Sequence, residues 1–116
     1  MKRALIIPAE GMPSTVMVEN TYDFIQETVG GWFDCVRSET FHGYVNDTGL
    51  IDGLPFNPIA SIAFGQVICG NAILFGSFSA SGEYDGEEHS IDPIIVTGIK
   101  GQWFLFKTHS GDGVKL

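Results

Sequence analysis

Apolar residues run unbroken from position 4 to position 7 and stop at Pro8, a pattern that predicts a buried strand over 2–8. Glu10-Gly11-Met12-Pro13 is turn chemistry. Positions 14–19 then alternate, with Val16 and Val18 on one side and Thr15, Met17 and Glu19 on the other. That is a second strand, and the short connection predicts an antiparallel hairpin. Asn20 or Thr21 is placed to cap a helix with Asp23 in its first turn and Tyr22, Ile25 and Val29 on one face. Gly30-Gly31 ends it. Positions 32–37 and 41–45 return to strand, and Asn46-Asp47-Thr48-Gly49 is a tight turn.

Asn57-Pro58 predicts a second helix over 58–64. Asn accepts a bond from a free helix amide, Pro at the first position gives up an N–H that has no partner there, and Gly65 stops it. Positions 71–78 read as a buried strand interrupted by Gly76, and 79–92 as a polar, acidic loop. Positions 93–99 and 102–108 read as two more strands turning at Lys100-Gly101, a C-terminal β-hairpin over 93–108. The whole chain, 1–116, is thus expected to be a single α+β domain: a mostly antiparallel sheet of about six to seven strands with two helices packed on it.

Charge sharpens this picture. The chain has 6 Lys+Arg against 14 Asp+Glu, a formal net charge of −8. No Lys or Arg occurs between positions 38 and 99, while Glu39, Asp47, Asp52, Glu83, Asp85, Glu87, Glu88 and Asp92 all fall there. The remaining acids and all the bases balance in the flanks, so the net charge resides in the middle of the chain. Direct nucleic-acid binding is disfavoured, because phosphate contacts need clustered Lys and Arg. A partner protein with a basic surface fits better, and imitation of a DNA phosphate track is a related possibility.

Candidate chemistry is sparse. His42, His89 and His109 are far apart and form no helical metal pair, and Glu83-Tyr84-Asp85-Gly86-Glu87-Glu88 lacks the ligand order of a calcium loop. No Gly-x-Ser-x-Gly elbow, phosphate loop or dinucleotide fingerprint occurs. Cys35 and Cys69 sit in apolar stretches without Cys-x-x-Cys spacing and read as small buried hydrophobes. No catalytic residue, metal or cofactor is therefore expected. No apolar stretch reaches the roughly 20 residues of a membrane helix, and the start is too short for a secretory signal, which points to the cytoplasm.

Ile7-Pro8-Ala9-Glu10-Gly11, Val29-Gly30-Gly31, Val45-Asn46-Asp47-Thr48-Gly49, Leu54-Pro55-Phe56-Asn57-Pro58-Ile59-Ala60, Gly70-Asn71-Ala72 and Phe75-Gly76 occur in that order. Over residues 3–78 the chain resembles a small-protein family of actinobacteria, their phages and mobile elements, catalogued as domain of unknown function 3846. The resemblance implies an accessory protein of a phage or integrated element acting in the host cytoplasm, and it implies little chemistry.

The function expected from the sequence is non-enzymatic. The chain would bind and modulate a host protein through Glu83, Tyr84, Asp85, Glu87, Glu88 and Asp92, with Tyr84 as an aromatic anchor among the acids. The alternative is a protein that binds or sequesters a small molecule or nucleotide. Adjacent aromatics on an extended strand cannot share a face, so Trp103, Phe104 and Phe106 on the C-terminal hairpin suggest self-association, as in a homodimer.

Overall fold

The computed structural model describes the backbone of residues 1–77 and 88–110 and the side chains of 1–77 and 88–108. Five strands form one sheet: β1 (Lys2–Ile7), β2 (Ser14–Val18), β3 (Phe33–Arg37), β4 (Phe41–Asn46) and β5 (Ala72–Gly76). Their order is β2-β1-β5-β4-β3, and every neighbouring pair is antiparallel. The unbroken apolar run of β5 takes the central place, where both faces are covered and alternation is not required. The fold is thus α+β with five strands and three helices among the described residues, rather than six to seven strands and two helices.

Alternation along the strands assigns the two faces. Leu5, Ile7, Phe41, Val45, Ala72 and Leu74 pack with Ile59 and Ala60 of α2 (Pro58–Phe64) and with Val96 and Ile99 of α3 (Pro93–Ser110). Ala4, Val18, Tyr44, Ile73 and Phe75 pack on the opposite face with Ile25 of α1 (Thr21–Val29). Both short helices are bounded as their sequences dictate. Asn20 and Asn57 cap them, and Gly30 and Gly65 end them at positive φ, 81° and 68°.

The expected C-terminal hairpin is absent. Positions 93–108 form the single helix α3, and Lys100-Gly101 lies inside it rather than at a turn. Asp92 accepts a bond from the Ile94 amide at 2.8 Å and Pro93 opens the helix, the same Asx-Pro start that opens α2. Val96, Ile99 and Trp103, spaced three and four apart, turn onto the core. Their β-branched and aromatic character favours strand only weakly, and burial of a helical stripe overrides it.

Residues 88–91 join the sheet to α3 across one end of the β1–β5 pair. The Gly76 amide donates to His89 O (2.7 Å), the Arg3 amide to Ser90 Oγ (2.9 Å), and the Ile91 amide to Arg3 O (3.0 Å). Arg3 Nε and Nη2 both reach Ile91 O, at 3.0 and 2.7 Å. A Cβ at Gly76 would stand 2.5 Å from Ser90 O, a backbone atom. Gly76→Ala is therefore expected to lift this segment from the sheet and cost about 1–3 kcal/mol, measured by urea unfolding. An unchanged midpoint would mean that the segment does not lie against β5.

Candidate functional site

Titratable side chains gather at one place among the described residues, inside the sheet's α1 face. His42 and Tyr44 alternate onto that face of β4, and Glu88 reaches them from the segment after the acidic loop. His42 Nδ1 lies 2.5 Å from Gly76 O and Nε2 lies 2.6 Å from Glu88 Oε2, while the Tyr44 hydroxyl donates to Glu88 Oε1. His42 is 1% exposed and Glu88 5%. A carbonyl only accepts, so Nδ1 carries a proton, and one further proton lies between Nε2 and the carboxylate. Whichever atom holds that proton, the pair has no net charge. Rings surround it: Tyr44 meets Phe33 edge-on at 5.2 Å and His42 at 5.6 Å, and Phe75 stacks on His42 at 6.1 Å.

Both ring nitrogens of His42 are engaged and the ring is buried, so the geometry is that of a buttress holding residues 88–91. A general base needs a nitrogen directed at a substrate. Every buried side-chain nitrogen or oxygen among the described residues has a hydrogen-bond partner. No group of three or more His, Cys, Asp or Glu among them is placed to hold a metal ion.

The expected acidic surface is changed accordingly. Glu83, Tyr84, Asp85 and Glu87 lie outside the described residues. Glu88 is no surface acid, because its carboxylate is turned into the core, where His42 and Tyr44 replace its water. Asp92 is exposed and caps α3. Trp103, Phe104 and Phe106 lie on a helix and not on a hairpin: Trp103 packs against the core, Phe104 is exposed, and Phe106 lines a groove beside Trp103. Cys35 is exposed on the edge strand β3 and Cys69 half-buried, so neither is fully buried. Desolvation raises the Cys35 thiol pKa above its usual value, with Arg37 lowering it and Glu88 adding to the rise.

The opposite end of the sheet collects a different set of residues. β1 and β4 end there, and β2, β3 and β5 begin there, so loops from across the chain meet. Three asparagines join them. Asn71 accepts from the Ala9 amide (3.0 Å) and donates to Thr28 O (3.2 Å), and Asn46 donates to Val29 O (3.1 Å). Fully buried Asn57 donates to Ile7 O and Gly70 O, both at 2.9 Å, while accepting from the Ala60 amide. The glycine and asparagine motifs thus preserve backbone geometry, as turn and cap chemistry dictates.

What these loops present outward is apolar and acidic. Met12, Trp32, Leu50, Ile51, Phe56 and Val67 are all exposed, Trp32 by 66% and Ile51 by 86%. Glu10 and Glu27 line a groove of about 350 Å³ floored by Gly70 and Asn71, and Asp47 and Asp52 are exposed on the β4–α2 loop. A neighbouring groove of about 290 Å³ lies between Pro8–Gly11, the start of α2, and Trp103, Phe106 and Lys107 of α3. Sequence reasoning missed this surface because its apolar residues are spread over separate loops, and only the topology brings those loops to one end.

No helix among the described residues is long and apolar enough to cross a membrane. No curated protein and no solved structure matches the chain. A family model does, and its match extends past the 3–78 region of resemblance through Glu88 and the first turn of α3. It covers residues 1–97, and the chain belongs to that family, described as a domain of unknown function (DUF3846).

Proposed function

We propose that this chain is a non-enzymatic accessory protein of a phage or mobile element, which binds and modulates a basic host protein in the host cytoplasm. The observation that supports this reading is the loop end of the sheet. Exposed Trp32 and Ile51 stand there among Glu10, Glu27, Asp47 and Asp52, with no Lys or Arg in the loops themselves. Large apolar anchors ringed by one sign of charge are how a protein interface combines affinity with steering. Glu10→Gln/Glu27→Gln/Asp47→Asn/Asp52→Asn is expected to fold normally and to lose most of the partner that the wild-type chain captures from actinobacterial lysate at low salt. Raising the salt should release that partner from the wild type, since screening weakens exposed charge contacts. Equal capture by the variant would remove the acids from the interface.

The groove beside Trp103 favours a second reading, a small-molecule or nucleotide binder. An aromatic wall suits a flat ligand, and Lys107 and Glu10 both line the groove beside it. That reading expects a thermal shift with one member of a nucleotide panel, abolished by Trp103→Ala. A flat panel would exclude it.

A further inference from the structure

The two grooves at the loop end adjoin. Ala9 and Glu10 line both, so the groove of about 290 Å³ beside Trp103 and Phe106 continues into the one of about 350 Å³ beside α1. Their chemistry differs. Trp103, Phe106, Pro8 and Pro58 give the first its flat apolar walls, with one acid and one base, Glu10 and Lys107, in its lining. The second is lined by Glu10 and Glu27 and by no base. Neither carboxylate is paired within the described chain. Glu27 also sits in the last turn of α1, the end where the helix dipole favours cations, and no base in that turn offsets it. That placement is unfavourable for the chain alone and becomes favourable once a cation enters the groove. A positive group therefore belongs beside Glu27, and a flat apolar one against Trp103.

The walls of the grooves also restrict what can carry these two groups. Both grooves are bounded by loops 8–11 and 54–55 and by helix ends, not by the open edges of β2 or β3. A ligand backbone cannot add a strand there. A polyproline II segment needs no backbone bonds, docks its prolines on aromatic walls, and brings residues one turn, about 9 Å, apart to the same side. We infer that the adjoining grooves take a proline-rich segment of the basic partner, with a proline against Trp103 and Phe106 and an arginine between Glu10 and Glu27. Arginine suits that place better than lysine, because its planar fork of donors can bond two carboxylates at once. This inference rests on the reading of the chain as a binder of a basic protein, and it names the element of the partner that is bound.

The test is fluorescence anisotropy with labelled peptides built on a Pro-Ala-Ala-Pro core, with an arginine placed before it in one and after it in the other. One orientation should bind the full chain, and glutamine in place of the peptide's arginine should weaken it by about fivefold, the upper end for an exposed ion pair. Glu27→Gln should weaken the arginine peptide by the same factor and leave the glutamine peptide within about twofold. Phe106→Ala should weaken both peptides by about tenfold with unchanged circular dichroism, because Phe106 is exposed whereas Trp103 packs on the core. Binding indifferent to Glu27→Gln or to Phe106→Ala would overturn the placement of the two residues. No peptide bound at millimolar concentration, whether or not a nucleotide binds instead, would overturn the proline-rich segment. If the variant lacking the four loop-end acids still loses its partner from lysate in that case, the wider reading survives; if it does not, both fail.

Discussion

Glu88→Ala is expected to lower the unfolding free energy by about 3–5 kcal/mol, the usual cost of breaking a buried pair by removing one partner. His42 Nε2 and the Tyr44 hydroxyl both lose the carboxylate they bond, at buried positions. A domain of this kind holds only about 5–15 kcal/mol in total, so the variant sits near the limit of folding at 25 °C. Tyr44→Phe offers a milder test. It strands one carboxylate oxygen and should cost about 1–3 kcal/mol. Replacing the pair together, His42→Phe with Glu88→Leu, should cost less than the sum of the single changes, because neither member is left behind without the other, although the Tyr44 hydroxyl and Gly76 O still lose the bonds they made to the pair. Urea titrations monitored by circular dichroism measure all of these. A Glu88→Ala variant within about 1 kcal/mol of the wild type would mean that the carboxylate does not hold residues 88–91 to the sheet.

Asn57→Ala should be almost as damaging, by about 3 kcal/mol or more. The lost helix cap accounts for about 0.5–2 kcal/mol. The carbonyls of Ile7 and Gly70, each left without its amide donor, add about 1–3 kcal/mol apiece before the loops relax. Asn57→Asp separates the two roles. Aspartate caps helices as well as asparagine does, so a residue that only capped would tolerate the change. Here the carboxylate would face two carbonyl oxygens in a fully buried position, and the variant should unfold at clearly lower urea. Wild-type stability for Asn57→Asp would reduce Asn57 to a helix cap alone.

Much of the fold is legible where local chemistry decides it. Asn57-Pro58 with Gly65 bounds α2, Gly30-Gly31 ends α1, and period-two alternation marks β2. The C-terminal helix is misread because Ile94, Ile95, Val96 and Ile99 resemble strand residues, although Asp92-Pro93 repeats the very signal that identifies α2. A periodicity of three and four over Val96, Ile99 and Trp103 was the stronger clue. The buried network is beyond local reading. Glu88 lies 46 residues from His42, in a run of acids where solvation is the usual fate, and only the path of residues 88–91 turns it inward. Cys35 looks buried from its neighbours Phe33 and Val36, yet β3 is an edge strand and leaves it exposed.

These observations divide the molecule by role. At one end of the sheet a closed polar cluster fixes the approach to α3. At the other, asparagine-stitched loops hold exposed apolar and acidic groups in place. The division bears on what a substitution does: changes at His42 or Glu88 should act through stability, whereas changes at Trp32 or Ile51 should leave the fold alone, since exposed side chains contribute little to it.

The most direct measurement is therefore a paired one on Trp32→Ser/Ile51→Ser: its melting temperature, and its capture of the partner retained by the wild-type chain. The account predicts a melting temperature close to that of the wild type together with loss of the partner. Undiminished capture by a folded variant would contradict the assignment of recognition to the loop end.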